Sequence, residues 1–87
     1  MNFVKKVLLV HGDQKARRTL TLLIAGAGYD VRSCERAETA LDAARSEWFD
    51  LALVADPLTE TSSFDFIAAL RKIQPSARVL LIVNQLE

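Results

Sequence analysis

Apolar and polar positions along the chain alternate between two textures. Val7-Leu-Leu-Val10, Leu51 to Ala55 and Val79-Leu-Leu-Ile-Val83 are short, uninterrupted apolar runs. Runs of this kind predict strands buried on both faces. Between them, apolar residues recur at helical spacing. Ala16, Leu20, Leu23, Ile24 and Ala27 make one stripe, and Ala37, Ala40, Leu41 and Ala44 a second. Phe66, Ile67, Leu70 and Ile73 make a third. Tyr29 to Cys34 alternates, as a strand near a sheet edge does.

The punctuation agrees with this division. Asp13 stands where a carboxylate can cap the first helix, and Ser62 or Ser63 where a hydroxyl can cap the third. Gly26 and Gly28 end the first helix, Trp48 and Phe49 close the second, and Pro75 stops the third. The order β-α-β-α-β-α-β predicts one α/β domain over residues 1–87: a flavodoxin-like, doubly wound parallel sheet. With right-handed crossovers and winding in both directions from the first strand, the order is 2-1-3-4. The first helix then covers one face, and the second and third cover the other. Ligand sites in such sheets lie beyond the carboxyl ends of the strands, where the order reverses. That crevice would hold His11, Gly12, Asp13, Ala55, Asp56, Val83 and Asn84.

Composition narrows the function. With 87 residues there is room for one small domain, and 51% hydrophobic content argues against disorder. A formal net charge of zero argues against a nucleic-acid surface. Lys15, Arg17 and Arg18 read as a solvated helix face. No apolar run approaches the ~20 residues of a membrane span. The single cysteine, Cys34, excludes an internal disulfide and fits a cytoplasmic location. At a strand end it reads as a small packed residue.

These segments resemble the receiver domains of two-component response regulators. KKVLLVHGDQKARRTLTLLIAGAGYDVRSCERAETALDAA follows the receiver opening in length and texture. FDLALVADPL and FDFIAALRKIQPSARVLLIV follow its later segments. The resemblance implies a partial receiver, lacking the family's last strand and two helices. It also implies a site that has lost its chemistry. Receivers place two Mg²⁺-binding carboxylates after the first strand, where this chain has His11 and Gly12. Their phosphate-accepting aspartate falls at Ala55 and their Ser or Thr at Val83. Aspartyl phosphorylation needs a carboxylate nucleophile and a hard cation with oxygen ligands.

The leading expectation is therefore a non-phosphorylatable pseudo-receiver, not an enzyme, without a cofactor. It would act in a transcription-regulator-like protein through dimerisation or contact with an effector domain or partner protein. Val79, Leu80 and Ile82 are the expected interface, on a sheet face and edge left bare. Either the residues are a fragment of a longer protein, or two copies cover each other. One alternative uses Asp56 as a displaced phosphoacceptor, with Asp13 and Asp56 as weak metal ligands. The bland reading makes Asp56 and Pro57 a turn and Asp13 a helix cap. His11 could join the two aspartates around a transition metal, but a solvated or hydrogen-bonded histidine is the more ordinary reading. A second alternative is a small nucleotide- or flavin-binding domain. HGDQK, with one glycine and an acidic residue, makes a poor phosphate loop.

Overall fold

A computed structural model describes residues 4–58 and 61–83. The strands are β1 (Lys6–Val10), β2 (Asp30–Cys34), β3 (Leu51–Asp56) and β4 (Arg78–Val83). The helices are α1 (Gln14–Gly26), α2 (Ala37–Ser46) and α3 (Ser63–Ile73). All strand pairs are parallel, and the order is β2-β1-β3-β4, as the alternation predicts. Asp56 differs from expectation: it is the last residue of β3, paired with Val83 of β4, and the loop begins after it.

Strand alternation divides the sheet into two unlike faces. Leu8, Val10, Ala52 and Val54 point toward α2 and α3. There they pack with Phe49, Phe66, Leu70 and the alanines of α2 into one buried core. Ala37, Ala40, Ala43 and Ala44 are all buried, so α2 lies close against the strands. The opposite face carries Val7, Leu9, Leu51, Leu53, Ala55, Leu80 and Ile82. Its cover is α1, which packs on β1 and β2. Val7 and Leu9 are buried there, Leu51, Leu53 and Ile82 half-buried, and Leu80 is 56% exposed.

The first helix departs from its predicted stripe. Ala16, Leu20 and Ile24 are half-buried, but Leu23 is 66% exposed and Ala27 is exposed. The reason is position. Leu23 lies on the flank of α1, and a lone helix on a sheet buries its underside but not its flanks. Trp48 and Phe49 also part company, since Phe49 is core and Trp48 is exposed.

Local signals fix the helix ends. Asp13 Oδ2 accepts from the Ala16 N–H at 2.8 Å, satisfying one free donor of α1. Ser62 Oγ accepts from the Asp65 N–H at 3.0 Å at the start of α3. Gly28, with φ of 101°, turns the chain after α1 in a conformation that favours glycine. Gln74 had no sequence signal and proves structural. Its buried amide donates to the carbonyls of Ala44 and Glu47 and accepts from the Phe49 N–H. It thereby ties the end of α3 to the turn between α2 and β3.

Candidate functional site

At the carboxyl ends of β1, β3 and β4 lies a cavity of about 560 Å³. Its lining includes His11, Gly12, Asp13, Ala55, Asp56 and Val83. These are the residues predicted for the crevice, with the exception of Asn84, which lies outside the described residues. Sheet winding explains the gathering. α1 leaves β1 toward one face and α3 follows β3 on the other, so the loops part and leave a gap between them.

The orientation of each group decides what the cavity can do. Ala55 is buried and shares the α1 side with Leu51 and Leu53. Asp56 shares the other side with Ala52 and Val54. Its Oδ1 accepts a hydrogen bond from Ser63 Oγ at 2.5 Å, at the first residue of α3. Ser63 is itself buried. The carboxylate of Asp56 is thus engaged toward α3, away from the direction in which the Ala55 methyl points. Of the two candidate caps for α3, Ser62 holds the helix end and Ser63 holds Asp56.

Asp13 is similarly committed, with one oxygen capping α1. His11 Nδ1 accepts from the Asp13 N–H at 3.1 Å, which leaves the proton of the neutral ring on Nε2. Arg17 donates to the His11 carbonyl at 2.8 Å and fastens the loop to α1. Gly12 has a non-positive φ, and a Cβ there would meet nothing within 4 Å. Neither strain nor crowding therefore requires glycine at that position.

A hard divalent cation fits this donor set poorly. His11, Gly12 and Ala55 supply no carboxylate oxygen, and each nearby aspartate has an oxygen already occupied. Among the described residues, no group of three or more His, Cys, Asp or Glu side chains is placed to hold a metal ion. His11, Asp13 and Asp56 share a cavity without forming such a cluster.

Of the expected interface residues, Leu80 is exposed, Ile82 half-buried, and Val79 packs against the closed core. Alternation along β4 separates Val79 from the other two. Cys34 is buried at the end of β2. Burial raises its pKa above 9.0, opposed by the nearby Arg32 and Arg17 guanidinium groups and assisted by Glu47. The thiol is protonated at neutral pH and packs as a small apolar group.

A second cavity, of about 620 Å³, lies at the amino end of the sheet on the α1 side. Val7, Leu51 and Leu80 form its apolar part, and Tyr29 and Trp48 are exposed on it. Sequence reasoning passed over this site. Its signal was Trp48, a large exposed aromatic beside the start of β3, which the helix-closing role concealed.

No family model matches the chain, and neither does any curated protein at a significant level. Solved structures match it closely. A receiver domain protein described as CheY-like, from Methanospirillum hungatei JF-1, superposes with a TM-score of 0.91 at 20% identity. The match covers 98% of this chain and 68% of that one. The chemotaxis protein CheY4 of Vibrio cholerae gives 0.90 at 22% identity, over 98% and 72%. A Burkholderia pseudomallei response regulator, described with a phosphorylated aspartic acid, a calcium ion and citrate, gives 0.87 at 29% identity. There the match covers 95% of this chain and about half, 49%, of the other. Over nearly its whole length, the chain has the fold of CheY-like response-regulator receiver domains.

Proposed function

We propose that this domain is a regulatory module of the receiver type that works without aspartyl phosphorylation. The observation that carries the reading is the pair Ala55 and Asp56. A methyl group stands at the position that corresponds to the phosphoacceptor. The neighbouring carboxylate points to the opposite side of β3 and is held by Ser63. In-line attack on phosphorus needs a free, aimed carboxylate and cationic neutralisation of the phosphoryl oxygens. The cavity offers an imidazole and a glycine where the magnesium ligands would stand.

Output then passes through protein contacts on the α1 side of the sheet, where Leu80 is exposed and Ile82 half-buried. A second copy, an effector domain or a partner protein could receive it. A cytoplasmic setting and a role in a transcription-regulator-like protein go with this reading. No helix among the described residues is long and apolar enough to cross a membrane. Nucleotide or flavin binding has less support, because the loop after β1 presents a carboxylate, Asp13, where phosphate would sit.

The test is intact mass after incubation with a small-molecule phosphodonor and Mg²⁺, run beside Asp56→Asn. The expected result is no mass gain in either protein. Gain of one phosphoryl group, lost in the variant, would make Asp56 a displaced phosphoacceptor and overturn the proposal.

A further inference from the structure

His11 is the only histidine of the chain and stands half-buried between β1 and α1. Its backbone N–H donates to the Cys34 carbonyl at 3.0 Å, which fixes the end of β1 against β2. Three further bonds carry that anchorage into the first turn of α1. His11 Nδ1 accepts from the Asp13 N–H at 3.1 Å. Asp13 Oδ2 accepts from the Ala16 N–H at 2.8 Å. The Arg17 guanidinium donates to the His11 carbonyl at 2.8 Å. The ring of His11 is thus the side chain that positions the residue capping the helix.

This first bond has a condition that the other two lack. A ring nitrogen accepts a hydrogen bond only while it carries no proton. Imidazole is also the side chain whose ordinary proton uptake falls between about pH 5 and 8. When Nδ1 takes a proton from water, both ring nitrogens become donors. Nδ1–H and the Asp13 N–H then oppose each other, and the contact is lost. The surroundings give the charged ring an alternative. Asp13, on the loop itself, and Asp56, at the end of β3, line the same cavity as His11. Asp56 is held toward α3 by Ser63, which leaves Asp13 as the carboxylate on the ring's own loop. Arg17, from α1, is the opposing charge, and it is fastened to the His11 carbonyl. From β2 the contact is Cys34, a buried thiol that stays protonated. From β4 it is Val83, which carries no charge.

We propose that His11 is a proton-operated latch on the start of α1. Neutral, the ring holds the Asp13 N–H and steadies the cap. Protonated, it releases that N–H, turns toward the cavity carboxylates and loosens the first turn of the helix. The latch deepens the reading of a module that works without aspartyl phosphorylation, and it rests on that reading for its role. It gives the carboxyl end of the sheet an input that needs neither phosphate nor metal.

Nuclear magnetic resonance of the full 87-residue chain, titrated from about pH 8 to 5, tests it. With one histidine, the ring signals are unambiguous. At the alkaline end the ring nitrogens should report a proton on Nε2 and a bare Nδ1. On acidification the amides of Asp13, Ala16 and Arg17 should move with the midpoint of the ring, the Asp13 amide proton shifting upfield as its bond is lost. His11→Asn supplies a carbonyl oxygen as acceptor that takes up no proton, and there the three amides should stay still. Circular dichroism checks its folding, and His11→Gln serves in its place if it does not fold. A neutral ring with its proton on Nδ1 has no such bond to release and overturns the latch. So does a titrating ring with the Ala16 and Arg17 amides unmoved, because the proton is then not felt by α1. Equal movement of the amides in His11→Asn would place the proton elsewhere and overturn it as well. None of these results bears on phosphorylation, which the mass measurement reads separately.

Discussion

The two faces of this sheet are built from the same strands and the same kinds of residue, yet they end in different states. Toward α2 and α3, Leu8, Val10, Ala52, Val54, Phe66 and Leu70 are each at most 1% exposed. Toward α1, Leu80 is 56% exposed, and Leu51, Leu53 and Ile82 are only partly covered. The strand residues do not cause the difference. Two helices side by side cover four strands, whereas one covers two. Stability therefore resides on the closed face.

The comparison can be broken most severely at Phe66. Phe66→Ala removes a fully buried ring from the closed core and should cost about 3–5 kcal/mol, enough to unfold much of a small domain. Chemical denaturation reads the loss, and retention of wild-type stability would show that the closed face is not the core. Gln74→Ala comes next. It strands the Phe49 N–H and the Ala44 and Glu47 carbonyls, at a cost of about 2–3 kcal/mol. Thermal melting with no change would mean that water replaces the amide fully.

Neighbours on one strand give the sharpest contrast. Leu81 packs against the closed core and Leu80 does not. Leu81→Ala should destabilise by about 2 kcal/mol, and Leu80→Ala by well under about 1 kcal/mol in the monomer. Equal losses would erase the distinction between the faces.

The smallest effect belongs to Cys34. Its folded pKa lies above its unfolded value because burial disfavours the thiolate. The folded state thus holds the proton more tightly, and stability is intact below the unfolded pKa. As pH rises through and beyond 9.0, ionisation favours the unfolded chain and stability declines. Melting temperature across that range should fall less for Cys34→Ala than for the unaltered chain.

Much of the site was legible before any coordinates. His11, Gly12, Ala55 and Asp56 line the upper cavity because parallel strands of matched length deliver their ends to one edge. Strand length and alternation are local properties. The pairing of Asp56 with Ser63 was not legible, since it joins the end of β3 to the first residue of α3. Ser62 and Ser63 are equivalent as caps in the sequence. Only the packing of α3 decides which hydroxyl faces the helix backbone and which faces the strand.

The sequence by itself determined the alternation of elements, the parallel sheet and the absence of a carboxylate at positions 11, 12 and 55. Each of these depends on residue identity and near-neighbour periodicity. Tertiary structure alone decided that Leu23 and Trp48 stay in solvent while Gln74 is buried, and that Asp56 turns toward α3. A hydrophobic stripe records that a helix has an apolar side, but not how much neighbouring surface exists to meet it. That depends on how many helices share the face, which is a property of the assembled layers.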